Sequence, residues 1–188
     1  MRQFFKNMLH PMQPQDVSHL YDDAVMLKLN RYQYGTSYVG GLPSYFFTIA
    51  DAAEPRREMG SCDLRVGMSA PIPYAGHIGY RIYAPYRGHH YAEHAARLLL
   101  HFACELGMPE VIITCDPDNM ASRRTLERLG GRFLAVVDVP EESPCYQAGD
   151  RQKCQFVYRT GDYYLPEKHN SLVCPAFAAD EGAGKKGY

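Results

Sequence analysis

A chain of 188 residues, 46% hydrophobic and 22% charged, suits one globular domain with a modest appendage. A formal net charge of −1 gives no global attraction for nucleic acid or an anionic membrane. No apolar run reaches the length of a membrane span, and the opening "MRQFFKNMLHPMQPQD" lacks the apolar core and small-residue cleavage pattern of a secretory signal.

Residues 1–15 contain Pro11 and Pro14 and read as a loose lead-in. "VSHLYDDAVMLKLNRYQY" carries apolar residues at Leu20, Ala24, Leu27 and Leu29, a helical pattern that predicts a helix. "PSYFFTIAD" is aromatic and β-branched and predicts a strand, with "AAEPRREMG" as the turn after it. "CDLRVGMS" and "GHIGYRIYAP" predict two more strands, the second alternating Ile78, Tyr80 and Ile82 and stopping at Pro85. From about His89 to Leu106 the chain is an amphipathic helix. Ala92, Ala95, Ala96, Leu99, Phe102, Ala103 and Leu106 share one face, while Glu93, Arg97, His101 and Glu105 share the other. "EVIITC" is a short apolar strand. "DPDNMASRRTLERLGG" turns at Pro117 and starts a helix capped by Asp118 or Asn119. "RFLAVVDV" and "CQFVYRT" are the last strands, on either side of a Pro/Gly-rich acidic loop over 140–150, and residues 166–188 read as a flexible tail. The strand–helix–strand unit at the centre calls for parallel pairing of "GHIGYRIYA" with "EVIITC", or a closely related arrangement, in an α/β or α+β sheet with helices on both faces.

The cysteines at 62, 104, 115, 145, 154 and 174 form no CxxC pair. Cys104 falls on an apolar helix face and Cys115 in an apolar strand. Buried free thiols and a reducing, cytoplasmic setting are therefore expected.

The chemistry concentrates where a strand ends in "IYAPYRGHHYA". A helix start offers unpaired N–H groups and a partial positive charge. Gly88 permits an unusual turn, Ala92 permits close approach and Arg87 adds a formal charge, an arrangement suited to a pyrophosphate. The G-x-G-x-x-G and G-K-[ST] signatures are absent. His90 and His94 lie four apart on the helix but have no third ligand at a recognisable spacing, so no metal is expected.

Arg87, Gly88, His89, His90, Tyr91 and Ala92 resemble the acetyl-CoA loop [Q/R]-x-x-G-x-[G/A] of the GCN5-related N-acetyltransferase (GNAT) superfamily, with His90 in place of the central glycine. Asp118-Asn119-Met120-Ala121-Ser122-Arg123 resembles its D-N-x-A-S-[RK] run, and "GHIGY" with "ITCDPDN" resembles a bacterial group of predicted acetyltransferases. The resemblance implies a mixed, mostly antiparallel sheet with a central splayed parallel strand pair, in a domain over residues 16–165. It implies acetyl-CoA as co-substrate, with the pantetheine arm along the edge formed by Tyr80, Arg81, Ile82 and Tyr83. The thioester carbonyl would accept a backbone N–H of Ile82 or Tyr83, and the pyrophosphate would sit on the N–H groups of Gly88 to Ala92. Asn119 would bond the arm, Ser122 would serve the departing thiolate, and Arg124 would meet a phosphate. Ser122 fills the acid slot of members that act on protein N-termini, since Leu126 stands where many members have a tyrosine. Tyr158 is a second candidate acid, and His77 or a water chain the general base.

The expected reaction is transfer of an acetyl group to a primary amine by direct attack, without an acyl-enzyme. The acceptor is a small molecule, an antibiotic or a protein N-terminus, and a homodimer is compatible with the superfamily. No nucleic-acid or membrane partner is expected. The alternative is an acyl-CoA-binding sensor of little or no activity, for which His90 and Leu126 speak.

Overall fold

The computed structural model of the chain describes residues 15–34 and 40–165. The predicted tail over 166–188 and nearly all of the predicted lead-in lie outside them.

The helix predicted over residues 17–34 is corrected: Val25–Tyr34 is a strand, β1. Asp22 makes the turn into it, its Oδ1 accepting the N–H groups of Ala24 and Val25. The helical spacing of Leu20, Ala24 and Leu27 coincides with an alternation, in which Val25 and Leu27 are buried and Lys28 and Asn30 exposed. Antiparallel pairing with Pro43–Asp51 (β2) decides between them, in a register from Val25↔Asp51 to Tyr34↔Pro43 with a shift between Leu29 and Arg31. Strand β2 lies where predicted. Strand β3 runs over Glu58–Arg65, earlier than predicted, and β4 over Ile78–Ile82. A short helix, α1, at Ile72–Ala75 was not predicted.

The long helix α2 spans Tyr91–Glu105 and is followed by β5, Glu110–Cys115. Helix α3 covers Met120–Arg128, and Asn119 is its cap rather than Asp118, with Oδ1 accepting the Ser122 N–H. Strands β6 (Arg132–Asp138) and β7 (Gln152–Arg159) flank a loop holding the short helix α4 at Pro144–Gln147.

The strands form two sheets, β1-β2-β3-β4 and β5-β7-β6, and every ladder in them is antiparallel. The parallel ladder expected between β4 and β5 is not among the pairings of the described residues. Instead, the His77 N–H donates to Ile112 O at 2.7 Å, and beyond that bond the two strands belong to separate sheets.

Helix α2 packs against the first sheet, with Phe102 edge-on to Tyr45 at 5.0 Å and to Phe47 at 6.3 Å between ring centroids. Leu126 of α3 and Phe156 and Tyr158 of β7 complete the same core. Burial of each such side chain contributes roughly 1.5–3 kcal/mol. On the other face of β5, Thr114 Oγ1 donates to Tyr74 O and Gln155 Nε2 to Pro73 O, seating α1 there. Helices therefore cover both faces. His101, predicted on the polar face of α2, is buried, because Leu165 donates its N–H to His101 Nδ1 and the Tyr164 ring lies 5.4 Å away. Cys62, Cys115, Cys145 and Cys154 are buried and free as expected. Cys104 is disulfide-bonded, which corrects the free-thiol expectation at that position. Among the described residues no helix is long and apolar enough to cross a membrane.

Candidate active site

The break between the sheets exposes one edge of β4. Arg65 N–H donates to His77 O and Tyr83 N–H to Met59 O, each at 2.8 Å. With Gly60 opposite Ile82 and Ser61 opposite Arg81, antiparallel alternation turns the backbone groups of Gly79, Arg81 and Tyr83 toward β3. Those of Tyr80 and Ile82 face the gap. Arg87 folds back so that its Nε donates to Ile82 O at 3.1 Å, which leaves the Ile82 N–H directed into the opening.

After β4, a 3-10 turn at Ala84–Tyr86 leads to the start of α2. Gly88 has φ 87° and His90 has φ 62° and ψ 10°. Among the described residues His90 is the non-glycine with positive φ, a conformation His visits more readily than most residues. The left-handed turns at Gly88 and His90 bring successive N–H groups to one concave surface, as in anion-binding backbone nests. Among the described residues no protein acceptor takes the N–H of Gly88, His89, His90, Tyr91 or Ala92, and the helix ladder begins with the bond from Glu93 N to His90 O. Converging N–H groups at the positive end of a helix dipole bind an anionic group.

Helix α3 forms the opposite wall. Ala121, Arg124, Thr125 and Arg128 follow the i, i+3, i+4, i+7 spacing of one helix face, and all line the cleft. The cleft has a volume of about 530 Å³, within the range of small-molecule sites. Arg81, Arg87, Arg124 and Arg128 make it cationic. Glu93 offsets part of that charge, its Oε2 accepting from Arg128 Nε at 3.0 Å. Across the cleft, Tyr80 OH lies 2.9 Å from Ser122 Oγ. Burial, the largest influence on it, pushes the Tyr80 phenol up to about 12. Nearby Cys115, buried, has its thiol pushed up to about 11, which disfavours a thiolate at neutral pH.

Residues 2–132 match the family model of the acetyltransferase (GNAT) domain. The chain belongs to the GNAT acetyltransferase family. No curated protein matches its sequence. Among solved structures, ribosomal-protein-S5-alanine acetyltransferase from Vibrio fischeri is similar at TM-score 0.50 and 18% identity, over 65% of this chain and 64% of that one. Ribosomal L7/L12 alpha-N-protein acetyltransferase in complex with coenzyme A has a TM-score of 0.47 and 18% identity, over 62% of each chain. Microcin C7 self-immunity acetyltransferase in complex with acetyl-CoA and AMP has a TM-score of 0.48 and 17% identity, over 62% of this chain and 61% of that one. The chain thus spans less than two thirds of the length of these structures, and the likeness concerns the GNAT fold.

Of the residues expected at the site from the GNAT resemblance, Tyr80, Arg81, Ile82, Arg87, Gly88, His90, Tyr91, Ala92, Asn119, Ser122 and Arg124 line the cleft. Tyr83 and His89 do not, and Tyr83 has its N–H committed to Met59. Tyr86, Ala121, Thr125 and Arg128 line it in addition. The helical spacing of the α3 residues was a signal that could have found three of them.

Two proposed catalytic residues lie outside the cleft lining. His77 is 1% exposed, with Nδ1 accepting the Ile112 N–H at 2.9 Å and Nε2 bonded to Gly67 O at 3.0 Å. Burial above all holds its pKa below the ordinary histidine value. Tyr158 is 2% exposed and its hydroxyl donates to Leu126 O at 2.8 Å, while burial raises its pKa. Both side chains are committed within the protein, which corrects their assignment to proton transfer in the cleft. Away from the cleft, His19, His101 and Glu105, and separately Asp22, Asp23 and His94, gather potential metal-binding atoms within 4.8 Å of one another. In the first group Glu105 Oε2 lies 2.8 Å from His19 Nε2, and in the second Asp22 Oδ2 lies 2.7 Å from His94 Nδ1.

Proposed function

We propose that this protein is an acetyl-CoA-dependent N-acetyltransferase acting on a primary amine. The observation that carries the reading is the run of N–H groups from Gly88 to Ala92, without an acceptor among the described residues, beside the exposed backbone edge of Tyr80 and Ile82. The pyrophosphate of acetyl-CoA occupies the helix start, with Arg87 and Arg124 supplying charge. The amides of the pantetheine arm pair with the β4 edge. Asn119 Oδ1 caps α3, so its Nδ2 is the group that donates to the arm. Since the Tyr83 N–H is taken by Met59, the Ile82 N–H is the donor for the thioester carbonyl, where negative charge develops during attack.

The amine attacks the thioester directly. Among the described residues no cysteine lines the cleft, and burial, which raises the pKa of nearby Cys115, speaks against an acyl-enzyme on that residue. Ser122 donates a hydrogen bond to the sulfur as it departs as thiolate. With His77 engaged on both ring nitrogens, the proton of the ammonium leaves through water. The acceptor is a small amine or a protein N-terminus.

The test has two arms. Acetyl-CoA at a hundred times its Kd stabilises the fold by about 2.7 kcal/mol, or roughly 5–11 °C at 2–4 °C per kcal/mol, whereas adenosine does much less. Gly88→Pro, which is incompatible with φ 87° and removes an N–H, abolishes the difference. A panel of amines and N-terminal peptides with thiol detection then reads release of CoA. Equal stabilisation by adenosine and acetyl-CoA refutes the phosphate site. Tight acetyl-CoA binding without turnover of any amine refutes the transferase and leaves an acyl-CoA-binding protein.

A further inference from the structure

We propose that Tyr80 is a positioning residue for Ser122: it donates its phenolic hydrogen to Ser122 Oγ and thereby turns the serine hydrogen into the cleft. The consequence for turnover rests on the acetyltransferase reading, while the orientation itself stands on geometry.

Tyr80 belongs to β4 and Ser122 to the first turn of α3, so their contact spans the cleft between the two sheets. The 2.9 Å separation admits either oxygen as donor. Acidity decides. A phenol is the stronger donor and an aliphatic hydroxyl the stronger acceptor, so the proton on the shared axis is the phenol's. No other partner of either hydroxyl is found among the described residues, and the Ser122 N–H is already engaged by Asn119 Oδ1. With one serine lone pair occupied along the cleft floor, its own hydrogen rotates away from Tyr80, toward whatever acceptor lies in the cleft. Donation into Ser122 Oγ also polarises that O–H and makes it a better donor in turn. The partly buried ring of Tyr80, packed against the core, holds the pair in place. Burial keeps the phenol protonated across the working pH range, its pKa being near 12.

In the acetyltransferase reading, the acceptor on the far side of Ser122 is the thioester sulfur. Its demand for a hydrogen bond rises from weak in the intact thioester to strong in the departing thiolate. A prealigned donor therefore acts on kcat and little on binding.

Tyr80→Phe keeps the ring and removes the donor. The expected result is a fall in kcat of about tenfold with the KM for acetyl-CoA within about twofold. Ser122→Ala lowers kcat further, and adding Tyr80→Phe to it costs nothing more, because the tyrosine acts through the serine. Losses that multiply independently, or an unchanged kcat in Tyr80→Phe, overturn the proposal. A second measurement needs no turnover. In Ser122→Cys, alkylation of residue 122 by iodoacetamide, followed by peptide mass spectrometry against pH, reads the thiol's apparent pKa. A donated phenol hydrogen stabilises the thiolate, so this midpoint lies about one unit below that of the Ser122→Cys, Tyr80→Phe double variant. Coincident midpoints refute the orientation. If no amine is acetylated, the transferase reading fails, and the thiol titration still decides Tyr80.

Discussion

Replacing His90 tests the turn that makes the anion site. Its backbone sits at φ 62°, in the left-handed region, and its side chain is 58% exposed, so little packing is lost on truncation. The nearest charge, Glu93 Oε2, is 4.0 Å away from this exposed ring and adds little. The balance is then set by the backbone. Holding a non-glycine residue in the left-handed conformation costs about 1–2 kcal/mol. Glycine removes that strain, but its greater freedom in the unfolded chain takes back about 0.5–1 kcal/mol. His90→Gly is therefore expected to gain about 0–1.5 kcal/mol, a rise in Tm of roughly 0–6 °C at 2–4 °C per kcal/mol. His90→Val, β-branched and ill-suited to positive φ, is expected to lose more than about 1 kcal/mol. It should also weaken acetyl-CoA stabilisation, because the neighbouring N–H groups no longer converge. Urea denaturation at constant m reads both changes. Equal destabilisation by glycine and valine would refute the reasoning, since it would mean that the imidazole, and not the backbone angle, holds the loop.

Asn119→Asp keeps an acceptor for the Ser122 N–H at a helix start that favours negative charge, so urea stability is maintained, yet the lost Nδ2 donor lowers the acetyl-CoA thermal shift. Asn119→Ala loses both, with a cap cost of about 1 kcal/mol. His77 titrates below the ordinary histidine value because it is buried, so the unfolded chain binds its proton first as pH falls. Its contribution is complete above about pH 6.5. It declines as the pH drops toward the folded pKa, at no more than about 1.4 kcal/mol per pH unit. Urea midpoints from pH 8 to 5 should show that slope, reduced in His77→Gln, and equal slopes would refute it.

The strands Pro43–Asp51 and Glu110–Cys115 were legible to the residue, because compact apolar runs there end at turn-forming neighbours. The segment from Val17 to Tyr34 was not, since Leu27 satisfies both a helical and an alternating pattern and only the partner strand distinguishes them. The same limit governs the site. The helix start could be read from its own residues, Asn119, Ser122 and Arg124 followed from the GNAT resemblance, and Ala121 and Thr125 on the same helix were passed over although both line the cleft. Tyr158 could not be placed, because alternation along β7 does not say which face is the core. The nitrogen partners of His77 come from Ile112 and Gly67, one of them far along the chain, and no local pattern announces such bonds. The contact between Tyr80 and Ser122 joins two elements 42 positions apart, and it too had no local signal.

The bonds around His77 also mark the place beyond which the two strands belong to separate sheets. A growing ladder advances when each strand's free N–H finds the next carbonyl across the way. At Ile112 that N–H is claimed by an imidazole nitrogen, while the Ile112 carbonyl is claimed by the His77 main chain. The side chain thus doubles the main-chain bond at the end of the contact between the two strands. One residue supplies, from main chain and side chain together, the clasp at which the two strands still meet. The cleft thus opens beyond a clasp whose buried ring takes no part in lining it.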